Sequence, residues 1–152
     1  MDILLEYSEE VSAGLPAGFF RTVAEETLKK ANLPSLLEKQ VSLTAVAVSE
    51  EKIQELNREY RHKDAVTDIL SFGEYADLSL LAKDDRETLS LGELYFCPAY
   101  IQKAAEEDSV TLKHEMAYIF SHGVLHLLGY DHSDEMFSIQ DKVTRASLEN
   151  NL

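Results

Sequence analysis

The chain has 152 residues, 45% hydrophobic and 28% charged, with a formal net charge of −14. That length suits one domain over 1–152 with a real buried core. The acidic balance excludes a broad electrostatic grip on nucleic acid, but not a local site where a metal ion and a few arginines supply the positive charge. No apolar run approaches membrane-spanning length, the N-terminus has no basic leader, and a single cysteine, Cys97, rules out an intrachain disulfide. A cytoplasmic protein with no membrane partner is the expectation.

In chain order, Asp2 to Tyr7 reads as a short strand. Pro16 opens a helix that runs to Ala31 with Phe20, Val23, Ala24, Thr27 and Leu28 on one stripe, closed by Asn32 and Pro34. Val41 to Val48 alternates and is rich in β-branched residues, as a buried strand requires. Ser49 is placed to cap a helix whose apolar face is Ile53, Leu56 and Tyr60. Ile69 to Phe72 reads as a strand, and acidic Gly73 to Thr88 as a loop. Leu89 to Cys97 is a further strand, and Pro98 opens a short helix to Glu107. Ser109 is the expected cap of a long apolar helix ending at Leu128, and Ser133 caps a last helix through Leu148. The expected fold is α/β in the α+β sense: a four-stranded mixed sheet packed with about five helices.

The stretch His122-Gly123-Val124-Leu125-His126-Leu127-Leu128-Gly129-Tyr130-Asp131-His132 holds three of the five histidines. His122 and His126 are four apart, so a helix stacks them on one face. Gly129 stands where a helix needs a left-handed residue to end, and the reversal returns His132 toward the other two. Two imidazoles from a helix and a third from the next turn make an open zinc site for one ion, with a fourth position free for water. The spacing is that of metzincin proteases, but Gly123 stands where those enzymes carry the general-base glutamate. This weakens a peptidase reading more than a metal reading. Asp131 is placed to orient a ligand imidazole or to accept a proton. Glu115, two turns before His122, is either a second-layer partner of the site or one half of an ion pair. Cys97 reads as a small buried apolar residue rather than a nucleophile.

A second stretch concentrates cations in this acidic chain: Arg58, Arg61, His62 and Lys63 lie within six residues. A solvated helix end accounts for them, with basic groups facing the C-terminal dipole. Arg61 is also a candidate to stabilise the charge of a phosphodiester transition state.

Both stretches together resemble the YbeY family of bacterial endoribonucleases. The segment HGVLHLLGYDH is similar to the family's most specific signature. Tyr60-Arg61-His62-Lys63-Asp64 with Thr67-Asp68-Ile69-Leu70-Ser71-Phe72 resembles a second block, Leu91-Gly92-Glu93-Leu94 a third, and Asp134 to Gln140 the segment after the metal motif. The chain departs from the pattern at Gly73, where the family usually has proline, and at Glu93, where it more often has aspartate. The resemblance implies a single-strand-specific, zinc-dependent endoribonuclease that matures the 3′ end of small-subunit rRNA and serves ribosome quality control. It implies His122, His126 and His132 as metal ligands and Arg61 as the arginine facing the metal cleft; Arg58 and Lys63 keep the reading of ordinary surface charges at a helix end. The expected partners are single-stranded RNA or an rRNA precursor, and ribosomal proteins or a ribosome-associated GTPase. Two rival readings stand beside it: a metzincin-like metal-dependent hydrolase or peptidase, and a ribosome-associated binding protein whose zinc is structural.

Overall fold

A computed structural model describes residues 1–149. The strands are β1 (Asp2–Glu9), β2 (Gln40–Ala47), β3 (Ile69–Phe72) and β4 (Thr88–Phe96). The helices are α1 (Ala17–Ala31), α2 (Glu50–Arg61), α3 (Leu78–Lys83), α4 (Pro98–Glu107), α5 (Leu112–Leu128) and α6 (Asp134–Glu149), with a 3-10 turn at Pro34–Leu36. The sheet order is β1-β2-β4-β3, with β1, β2 and β4 parallel and β3 antiparallel to β4. It is the mixed four-stranded sheet expected, with six α-helices among the described residues rather than about five.

The alternation in β2 and β4 sorts their side chains onto two faces. Val41, Leu43, Ala45, Leu89, Leu91, Leu94 and Phe96 face α1 and α5 in the main core. Leu70 and Cys97 face α2 with Val48, Ile53 and Leu56 in a smaller cluster. Helix α5 lies against the sheet between α1, α4 and α6. Phe120 on α5 meets Phe20 of α1 at 5.2 Å and Phe96 of β4 at 5.7 Å, both edge-on. The buried hydroxyls of Thr27 and Ser121 are hydrogen-bonded at 3.0 Å, tying α1 to α5. The metal-motif helix is thus held on several sides, which gives ligands a rigid platform.

Four local expectations are corrected. Thr111, not Ser109, caps α5: its Oγ1 accepts from the His114 amide at 3.1 Å. Ser109 instead takes a left-handed φ of 56° just past α4, where its amide donates to the Glu106 carbonyl. The acidic loop contains α3, capped by Asp77 and anchored by buried Leu81, a helix too short to show a period in sequence. Tyr60 does not join the buried face of α2; it is 61% exposed and meets Phe72 edge-on at 5.3 Å. Pro16 is the N-cap and α1 begins at Ala17. Ser49 and Ser133 do cap their helices, accepting from the amides of Lys52 and Met136.

Candidate metal centre

Helix α5 ends as its sequence demands. Gly129 has φ 101°, and its amide donates to the His126 carbonyl. A Cβ here would sit 2.4 Å from the Asp77 carbonyl carbon, so the segment leading into α3 packs directly on the turn. The chain reverses at Gly129, and the imidazoles of His122, His126 and His132 converge, their ligand nitrogens all within 4.8 Å of one another. His122 Nε2 lies 2.9 Å from His126 Nε2 and 3.4 Å from His132 Nε2. Tetrahedral zinc with N ligands at their usual bond lengths separates those nitrogens by about 3.3 Å.

The outer nitrogens explain why these rings point inward. His126 Nδ1 lies 3.0 Å from the Tyr130 carbonyl, which can only accept, so Nδ1 carries the proton. His122 Nδ1 lies 3.4 Å from Gln140 Oε1, while Gln140 Nε2 donates to the Tyr118 carbonyl at 3.3 Å. That second bond fixes the amide's orientation, so Oε1 is an acceptor and His122 Nδ1 is the donor. Both rings then aim Nε2 lone pairs at each other across 2.9 Å, a repulsive arrangement unless a cation lies between them. Burial holds both imidazoles below the ordinary histidine value of 6.5, and for His122 the adjacent His126 adds to it. Both are therefore neutral near pH 7, the form in which an imidazole can bind a metal. The donor set fits a divalent, nitrogen-preferring ion.

Gln140 is fully buried and was not picked out as a site residue from sequence; only its place in the segment after the metal motif marked it. Its carboxamide does for His122 what a backbone carbonyl does for His126. Gln140→Leu is expected to weaken zinc binding about 10- to 100-fold, read by competition with a chromogenic chelator, with Gln140→Glu restoring it. Unchanged affinity in Gln140→Leu would show that the hydrogen bond to His122 is idle.

The three histidines line a cleft of about 1100 Å3. Its other walls come from the α2–β3 segment and from the segment after β3. Asn57 organises the first: it is buried, its Nδ2 donates to the Ala65 carbonyl at 2.9 Å, and its own carbonyl accepts the His62 and Lys63 amides. His62 takes φ 60° to end α2. This puts Arg61 and Lys63 on the cleft wall. Arg61 Nη2 donates to the Ser71 carbonyl at 2.5 Å, and its guanidinium lies 5.0 Å from the Phe72 ring centroid. Ser71 in turn donates through Oγ to the Gly123 carbonyl at 3.3 Å. One strand residue thus links the arginine to the metal helix, and only its place in the second block marked it in sequence. Arg58 is a surface charge paired with Asp64 at 3.4 Å, whereas Lys63 faces the cleft.

Asp131 lines the cleft and accepts the His132 backbone amide at 2.9 Å through Oδ1. It holds the turn rather than an outer nitrogen of His122 or His126. Gly123 faces away from the ligands. A Cβ there would meet Ile69 Cδ1 at 2.6 Å and Leu94 Cδ2 at 3.0 Å, so glycine lets α5 close on the sheet and a glutamate would have to displace core side chains. Gly73 also lines the cleft; a Cβ would lie 2.5 Å from the Leu91 carbonyl, so the strand leaves the sheet by a close backbone approach. Glu93 accepts from the Tyr95 hydroxyl at 2.8 Å and is not on the cleft wall. Cys97 is buried and burial pushes its thiol up, which suits an apolar role.

Glu115 is half-buried, and among the described residues its carboxylate is in neither a hydrogen bond nor an ion pair. Burial first, then Asp108 and Asp68, push it above its ordinary 4.5. A raised folded value favours the folded state below about 4.5 and loses that advantage as pH rises through it. Glu115→Gln is therefore expected to raise the melting temperature by about 1 °C at pH 7, the gain vanishing near pH 4. A loss of stability at pH 7 would reveal a partner for the carboxylate.

Comparisons with known proteins point to one family. The model of the family described as Endoribonuclease YbeY matches residues 7–147. Endoribonuclease YbeY of Bdellovibrio bacteriovorus is 33% identical over 150 residues, 93% of this chain and 91% of that protein. The protein of the same name from Ureaplasma urealyticum is 41% identical over 103 residues, 63% of this chain and 61% of its own length. The chain thus spans about three-fifths of that relative. The solution structure of TM1509 from Thermotoga maritima superimposes with a TM-score of 0.62 at 26% identity, covering 97% of this chain and 91% of that one. With a family match over residues 7–147, which takes in all three histidines and Arg61, the chain belongs to the YbeY family.

Proposed function

We propose that this protein is a zinc-dependent endoribonuclease that cleaves single-stranded RNA. The observation that carries the reading is the convergence of three imidazole nitrogens in a cleft whose wall also presents Arg61 and Lys63. The two relatives described above, both endoribonucleases, point the same way.

A divalent ion held there supplies Lewis-acid polarisation of a phosphoryl oxygen and favours deprotonation of water. The chain's own groups do the rest. Arg61 is held by Ser71 and Phe72 with donors still free, so it can stabilise charge developing on the phosphoryl oxygens. Lys63 adds positive charge where a phosphate enters. Asp131 has one carboxylate oxygen committed to the His132 amide, which leaves the other to take a proton from the attacking group. The acidic surface of the rest of the protein repels the remaining RNA backbone and confines productive binding to this cleft.

The role that fits such an enzyme in this family is maturation of the 3′ end of small-subunit rRNA and ribosome quality control, in the cytoplasm. No helix among the described residues is long and apolar enough to cross a membrane. A net charge of −14 suits basic ribosomal proteins as partners, with a ribosome-associated GTPase as a further one.

Cleavage assays test the reading. Zinc-loaded protein should cut labelled single-stranded RNA, leave a duplex of the same sequence intact, and lose activity on chelation. Zinc-dependent cleavage of unstructured peptides, with RNA untouched, would instead establish the metzincin-like alternative.

A further inference from the structure

Phe137 is the feature of the cleft that neither metal binding nor phosphate chemistry uses. Eight large apolar side chains are exposed among the described residues, and Phe137 alone of them lines the cleft. It is 41% exposed, on the first turns of α6, and its ring lies 6.1 Å from that of His132 at an interplanar angle of 22°. An exposed aromatic on a helix surface carries a hydration cost that the core-facing residues of α6, Met136 and Ile139, do not.

We propose that Phe137 is a substrate-contacting residue on which an unpaired nucleobase stacks while the adjoining phosphate sits at the three histidines. This rests on the RNA-cleaving reading and deepens it. Three considerations converge on a base as the occupant. Beyond the bound ion, Arg61 and Lys63 are the only lysine or arginine side chains lining the cleft among the described residues, in a chain with net charge −14, so affinity for RNA needs a term that does not depend on phosphate neutralisation. Stacking on an aromatic face supplies one, and every base has a π-face, so contact is tolerant of sequence. A base already stacked and paired in a duplex cannot offer that face, so the same contact selects single strands. The position is also apt: Phe137 neighbours His132, the exposed ligand, so a nucleotide bound through its phosphate has its own base within reach of the ring.

The chain contains no tryptophan, so Phe137→Trp gives a fluorophore at this one site. Rapid mixing of the zinc-loaded variant with a short single-stranded RNA should quench its emission, whereas inorganic polyphosphate, which has no bases, should not. Phe137→Ala should raise KM for RNA cleavage at least about fivefold with zinc content and kcat retained, and Phe137→Trp and Phe137→Tyr should restore KM. Tyr100→Ala, at an equally exposed aromatic outside the cleft, should leave KM unchanged. A wild-type KM in Phe137→Ala, or Trp emission blind to RNA, in protein that still cleaves would overturn the stacking role and leave the endoribonuclease reading standing. Failure of the zinc-loaded wild type to bind or cut RNA at all would overturn both.

Discussion

His126→Ala is expected to lose zinc and RNA cleavage together. His126 is one of the three converging imidazoles: its Nε2 lies 2.9 Å from His122 Nε2, and its ring is oriented by the Tyr130 carbonyl. Losing a group merely hydrogen-bonded to a ligand costs about 10- to 100-fold in affinity, so losing a ligand should cost more. The effect also shows in stability. A metal at 100 times its Kd stabilises a protein by about 2.7 kcal/mol. For a chain of this size that is a rise of about 5–10 °C in melting temperature. The variant should lack this metal-dependent rise, while its metal-free melting temperature moves far less. Retention of zinc with wild-type affinity would contradict the ligand assignment.

Arg61→Ala is expected to separate binding of the metal from use of it. The guanidinium donates to Ser71 and packs on Phe72; it touches none of the three ligands. Zinc affinity should therefore be unchanged, and the loss of stability should stay within about 1 kcal/mol because the residue is exposed. Cleavage should fall about 10²- to 10³-fold, the usual cost of removing one donor aimed at developing charge. Arg61→Lys should recover little, since an ammonium cannot donate to the Ser71 carbonyl and a phosphoryl oxygen in the same planar fork. A fully active Arg61→Ala would remove the arginine from the chemistry.

The histidine cluster was legible because its geometry is local. A separation of four on a helix and a glycine at its end are enough to bring His122, His126 and His132 together, and Gly129 adopts the φ of 101° that the sequence asks for. The four strands and the mixed sheet were legible for a similar reason, since period-2 alternation is a property of a few adjacent residues. What was hidden depends on contacts between distant segments. Gln140 lies 18 positions from His122 and reads as an ordinary helix residue until α6 folds against α5. Ser71 lies 52 positions from Gly123, and its place in the second block does not show that its hydroxyl links β3 to α5. Lys63 looked like a solvated charge because only the turn built by Asn57 and His62 sends it to the cleft. Helix α3 escaped because Leu78 and Leu81 supply less than two full turns of periodicity inside an acidic stretch.

The proposed catalysis depends on a three-histidine site with one position left open to substrate. Cobalt substitution tests that most directly. The cobalt-loaded wild type should show visible absorption of a four-coordinate ion, and a simple phosphodiester such as dimethyl phosphate should perturb that spectrum by entering the open position. A spectrum unmoved by phosphodiester and by pH would mean four protein ligands and a closed, structural site, and it would contradict the catalytic reading.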